Sequence, residues 1–90
     1  MENTYSINGE TVNEYMLFDR AAKHFANLAG VENFHPARLD EGEGYVEYFD
    51  HNTRLFLCVE KKESEMLLTC GIKSWADCQV SERSIPYTTL

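Results

Sequence analysis

Tyr45-Val46-Glu47-Tyr48-Phe49, Asp50-His51-Asn52-Thr53 and Arg54-Leu55-Phe56-Leu57-Cys58-Val59 follow one another without a gap, and this stretch decides the fold. Two runs of aromatic, β-branched and large apolar residues flank a polar segment with turn chemistry, which predicts two antiparallel neighbours. Beyond them, Glu60 to Glu65 is a charged turn, and Met66 to Ile72 repeats the apolar run of a strand. In the other direction, Glu41-Gly42-Glu43-Gly44 is a two-glycine turn, preceded by a short strand at Ala37-Arg38-Leu39-Asp40. Pro36 excludes a helix around it. Strands at about 37–40, 45–49, 54–60 and 65–73, joined by such short connections, form a meander.

Towards the N-terminus, residues 1–10 are polar, and Ser6-Ile7-Asn8-Gly9 has the composition of a turn. Thr11-Val12-Asn13-Glu14 fits a capping box, so the spacing predicts a helix over about 11–29, closed by Gly30. Tyr15, Phe18, Ala22, Phe25 and Ala29 recur at helical spacing and define its core stripe. Leu17, Ala21, His24 and Leu28 form a second strip beside it, which is either a widening of the apolar face or a flank for a partner chain. At the other end, Ser74 to Cys78 suits a short helical turn, and 79–90 reads as an irregular tail or a short edge strand. The expected fold is α+β: one domain over 1–90, with one amphipathic helix packed on a three- to four-stranded antiparallel meander.

The 90 residues are 43% hydrophobic and 26% charged, a globular balance. Fifteen acids against eight Lys and Arg give a net charge of −7, which argues against binding nucleic acid through its phosphates and favours a basic partner surface. No apolar run approaches the roughly 18–20 residues that span a bilayer, and the first residues lack the pattern of a signal peptide. Cys58, Cys70 and Cys78 are an odd set without CxxC spacing, which reads as reduced core thiols and a cytoplasmic site.

Two features point to surfaces. The unbroken apolar run from Leu55 to Val59 predicts a sheet covered on both faces, yet one helix covers only one. The C-terminal segment around Trp75, Ile85 and Tyr87, or another molecule, a second copy included, has to cover the other. Second, Asp40, Glu41, Glu43, Glu47 and Asp50 fall in one stretch without a base, interleaved with Tyr45 and Tyr48. An acidic hairpin carrying tyrosines suits an interface with a basic partner.

Chemistry is harder to find. Cys70 or Cys58 with His24, His35 or His51 has no spacing that favours a thiolate–imidazole pair. Three cysteines and His51 lack the paired spacing of zinc ligands, and Glu41-Gly42-Glu43 at a hairpin tip has no cleft to shift its carboxylates. No glycine-rich turn opens a helix, as a phosphate loop would require. The reading is a non-enzyme with no cofactor and no metal.

The order of helix, Gly30, Leu39-Asp40-Glu41, Tyr45 to Asp50, Arg54-Leu55-Phe56-Leu57 and Glu65-Met66-Leu67-Leu68 resembles the first half of type III secretion chaperones, over about residues 15–73. That resemblance implies a small acidic cytosolic dimer wrapping an effector segment around its sheets. The later strands and dimer-forming helix of the family have no counterpart in the pattern. In general character the chain also resembles anti-CRISPR and anti-restriction proteins, which are short, often acidic and without catalytic groups. The leading expectation is therefore a protein-binding inhibitor or adaptor of phages or mobile elements, blocking a basic nucleic-acid-binding surface in the host cytoplasm. A homodimeric secretion-chaperone-like protein is the alternative.

Overall fold

In a computed structural model that describes residues 3–31, 33–73 and 83–90, without the side chains of 70–73, one helix packs against antiparallel sheets. The chain opens with a hairpin that the sequence reading left as a polar lead. Thr4–Ile7 (β1) pairs with Glu10–Asn13 (β2) through Asn8-Gly9. Both turn residues have positive φ, 54° and 83°, the geometry of the tight hairpin turn whose twist matches the strands. Alternation buries Tyr5 and Ile7 on one face.

The helix, Glu14–Leu28 (α1), consequently starts later than the capping box implies. Thr11 and Val12 belong to β2, and the N-cap is Asn13, whose side chain accepts from the Met16 amide at 2.8 Å. Gly30, at φ 87°, follows the last turn as expected. The buried stripe is also rotated from the expected one. Leu17, Phe18, Ala21, Ala22, Phe25 and Ala26 face the core, while Tyr15 is 61% exposed.

The meander follows as Ala37–Gly42 (β3), Tyr45–Asp50 (β4), Leu55–Lys61 (β5) and Glu65–Lys73 (β6). Among the described residues, however, the strands number eight rather than three to four. Part of the excess lies in the tail, expected to be irregular or a short edge strand, where a three-residue edge strand does form. Ser84–Pro86 (β7) pairs with β6, and Thr88–Thr89 (β8) crosses to pair with β1. The result is a five-stranded sheet in the order β3-β4-β5-β6-β7 beside a three-stranded sheet in the order β2-β1-β8. Expectations for Trp75, Cys78 and residues 79–82 fall outside the described residues.

Tyr87 sits at the crossing between sheets. It is buried, its ring meets Tyr5 edge-on with centroids 5.5 Å apart, and its hydroxyl donates to the carbonyls of Lys62 and Glu63. Ile85 pairs with Met66 and joins the same core as the helix, so neither residue covers the outer sheet face. Among the described residues no helix is long and apolar enough to cross a membrane.

Replacing Tyr87 with phenylalanine removes one hydroxyl and is expected to cost about 1 kcal/mol. Alanine leaves a cavity between the two sheets and should cost about 3–4 kcal/mol. Urea unfolding of both variants measures the difference; equal losses would mean that the ring does not join the sheets.

Candidate functional site

The β3–β4 hairpin carries the acids singled out by the sequence, and strand parity divides them. Residues two apart share a face, so Val46, Tyr48 and Asp50 point inward, whereas Tyr45, Glu47 and Phe49 point outward. Tyr48 and Asp50 are each 1% exposed and are not available to a partner. This corrects the reading of the whole run as one acidic edge. Asp50 has a local task instead. One carboxylate oxygen accepts from the Asn52 amide at 3.0 Å, and its carbonyl accepts from Arg54 at 2.6 Å, closing the β4–β5 turn.

The helix strip offered as a partner flank is corrected in the same way. Leu17 and Ala21 are fully buried against the sheet, because the core face of α1 spans that strip as well as the expected one. His24 and Leu28 are half-buried; Leu28 packs on the core, and His24 meets Phe25 edge-on at 5.7 Å.

On the inner side of the hairpin a residue the sequence did not single out, Arg38, organises the charges. Its guanidinium donates to Glu41 (2.8 Å), to Asp19 (2.7 Å) and to the carbonyl of Tyr15 (2.9 Å). It also stacks 3.8 Å from the Tyr15 ring centroid. Although burial opposes the charge, these acceptors hold the Arg38 pKa above its ordinary value. The Tyr48 hydroxyl donates to the same Asp19 oxygen at 2.8 Å. Burial, followed by this anionic acceptor, pushes the Tyr48 phenol far up, so it stays protonated. Glu41 is thereby an ion-paired residue of the hairpin, not a free one.

On the outer side Glu60 pairs with Lys62, whereas among the described residues Asp40 and Glu47 have no ion-pair partner. Asp40 stands directly across the ladder from Glu47, and Tyr45 across from Glu60. The Tyr45 hydroxyl donates to Asp40 at 2.9 Å, which raises the phenol pKa. Its ring lies over Gly42, where a β-carbon would clash with it, so only glycine admits this crossing. Beside these acids the outer face continues as half-buried Phe49, Phe56, Cys58 and Leu67, with Phe49 directly opposite Phe56. The β5 run is therefore one-sided: Leu55, Leu57 and Val59 are buried, and Phe56 and Cys58 are not.

Between the start of α1 and the hairpin tip lies a cleft of about 520 Å³, lined by Tyr15, Phe18, Val46, Glu43 and the ion pairs of Arg38 and Lys61. Lys61 donates to Glu14 and to the Tyr5 hydroxyl. That bond holds the Glu14 carboxyl below its usual range.

Among the described residues no three His, Cys, Asp or Glu side chains gather as a metal site. Cys58 is half-buried on the outer sheet face rather than in the core, and His51 is an exposed turn residue edge-on to Phe49. The chain matches no family model, no curated protein and no solved structure, so neither resemblance seen in its pattern rests on a match.

Three outcomes follow from this geometry. Arg38→Ala leaves the half-buried Asp19 with only the Tyr48 hydroxyl as partner and should lower stability by about 1–3 kcal/mol in denaturant titrations. Lysine at 38 recovers only part of that, because it lacks the planar fork. Asp50→Lys places an unpaired cation in the core and is expected to cost about 3–5 kcal/mol or prevent folding, as circular dichroism would report. For Glu14, a depressed folded pKa means its stabilisation is fully present above the usual 4.5 and fades as pH falls through the lower folded value. Wild type should exceed Glu14→Gln at pH 7 by less than about 1 kcal/mol, since the group is exposed, and the gap should shrink below about pH 4. A gap that widens on acidification would contradict the assignment.

Proposed function

We propose that this protein is a non-enzymatic inhibitor or adaptor that applies the acid-rich end of its five-stranded sheet to a basic surface of another protein. The broader setting that suits such a device is anti-defence by a phage or mobile element, in which a basic nucleic-acid-binding surface of the host is blocked. A net charge of −7 steers the chain towards such a surface.

One observation carries the reading. Asp40 and Glu47 are direct cross-strand partners on the outer face, an arrangement that destabilises a sheet. Glu60 stands one further strand across, beside Tyr45. Of the bases, Arg38 is committed to the inner side and Lys62 to Glu60. The fold gains nothing from a like-charge pair at that position, whereas a basic partner would neutralise it. Tyr45, Phe49 and Phe56 supply aromatic area beside the acids, the composition of an interface centre with a charged rim.

The alternative of a secretion-chaperone-like dimer draws on apolar strips that include Leu17 and Leu28. Leu17 is inside the core and Leu28 packs against it, which leaves that strip little surface for a second chain.

Glu47→Lys separates folding from binding. It replaces the like-charge pair with an opposite-charge one and should raise stability by about 0.2–1 kcal/mol. The same change should abolish capture of a basic protein from native-host extract, and raised salt should weaken capture by the wild type. If the variant and the wild type capture the same proteins equally well, the acidic sheet face is not the binding surface.

A further inference from the structure

The cleft beside the hairpin tip is as large as many ligand sites, and its lining is chemically mixed. Its floor is apolar, formed by the nearly buried Phe18 and Val46. Its wall includes Tyr15, 61% exposed, with Arg38 stacked on the ring. Two bases line the cleft, and both are already held: Arg38 by Glu41 and Asp19, Lys61 by Glu14. Glu43 also lines it, and among the described residues Glu43 has no ion-pair partner. The unspent charge in the cleft is therefore negative, and an anionic ligand would have to break an existing ion pair to enter.

We propose that this cleft receives the guanidinium of an arginine side chain from the partner. The inference rests on the reading of a basic partner and names the group by which that partner is held. Each part of an arginine has a counterpart in the lining. The three-carbon stem lies along the exposed Tyr15 side chain, since Phe18 and Val46 keep only 6% and 3% of their surface accessible. Arg38 occupies one face of the exposed Tyr15 ring, and the opposite face is where a second planar cation stacks. Glu43 supplies a carboxylate for two parallel N–H···O bonds. A lysine ammonium would gain the charge interaction without the stacking or the bidentate geometry, so the cleft prefers arginine. Tyr15 and Glu43 thus act on the inner side of the hairpin, while Asp40 and Glu47 act on the outer side. The hairpin tip stands between two subsites.

The probe is N-acetyl-arginine amide, titrated into the isotopically labelled full chain and followed by amide chemical shifts, with N-acetyl-lysine amide as comparison. Saturable shifts are expected at Tyr15 and at residues 42–44, with weaker binding of the lysine compound. Glu43→Gln should weaken arginine binding about tenfold or more, and Tyr15→Ala about two- to fivefold. Both positions are exposed, and thermal unfolding verifies that the variants fold. Shifts that do not saturate, shifts confined to another part of the surface, or equal binding by both variants would overturn the cleft assignment. Loss of partner capture in Glu47→Lys alongside failure of the arginine titration would sink the cleft and keep the sheet-face reading. Arginine binding that depends on Glu43, with capture unaffected by Glu47→Lys, would do the reverse.

Discussion

The guanidinium of Arg38 is the contact on which the acid-rich end of this protein depends. It reaches from the edge strand β3 to the first two turns of α1, where it meets Asp19, the Tyr15 carbonyl and the Tyr15 ring, and it holds Glu41 on its own strand. Without it, Asp19 and Glu41 would add their charge to that of Glu43, Asp40 and Glu47, and the hairpin would repel both itself and the helix. With it, one guanidinium offsets part of the charge of Asp19 and Glu41 on the inner side, and the acids without an ion-pair partner among the described residues lie on the outer face and at the cleft mouth. One half-buried cation thus converts a diffuse acidic segment into two bounded surfaces.

A second constraint comes from the way the chain closes. The strand formed by β7, Tyr87 and β8 pairs with β6 on one side and β1 on the other, and the Leu90 amide donates to the Thr4 carbonyl at 2.9 Å. The three-stranded sheet then lies beside the helix rather than on the free face of the larger sheet. Tyr5, Ile7, Val12, Ile85 and Tyr87 enter the same core as Leu17 and Phe25. The helix is covered on its flanks by these residues, which is why its apolar surface is wide and why so little of it is left for a second chain.

Much of the large sheet was legible because its signals are local. Polar turns of four to six residues between apolar runs leave little choice but antiparallel neighbours. The N-terminal hairpin was missed for a physical reason that is visible in hindsight. Asn8-Gly9 is the strongest short hairpin signal there is, but its flanking strands are only four residues each, too few to show alternation against polar neighbours. The helix starts later than the capping-box pattern at Thr11 implies because Thr11 belongs to β2. In the tail, local signals reach no further than an irregular segment or a short edge strand, since β7 and β8 exist through pairing with strands distant in sequence. At the site, the acids were found as a group but not sorted. Strand parity alone would have placed Glu47 and Tyr45 opposite Tyr48 and Asp50. Arg38 could be recognised only from the fold, because its partners Asp19 and Tyr15 lie far from it in the chain.

The sorting matters more than the count of charges. Five acids on one solvated hairpin would be an ordinary surface feature. Once one is buried to close a turn and another is paired with arginine, Asp40 and Glu47 oppose each other across a ladder and Glu43 stands alone beside an aromatic-walled cleft. The first arrangement costs stability and the second leaves a carboxylate unpaired, and the core satisfies neither. The physical complement of both is a positively charged surface bearing at least one arginine, brought up to the tip of the β3–β4 hairpin.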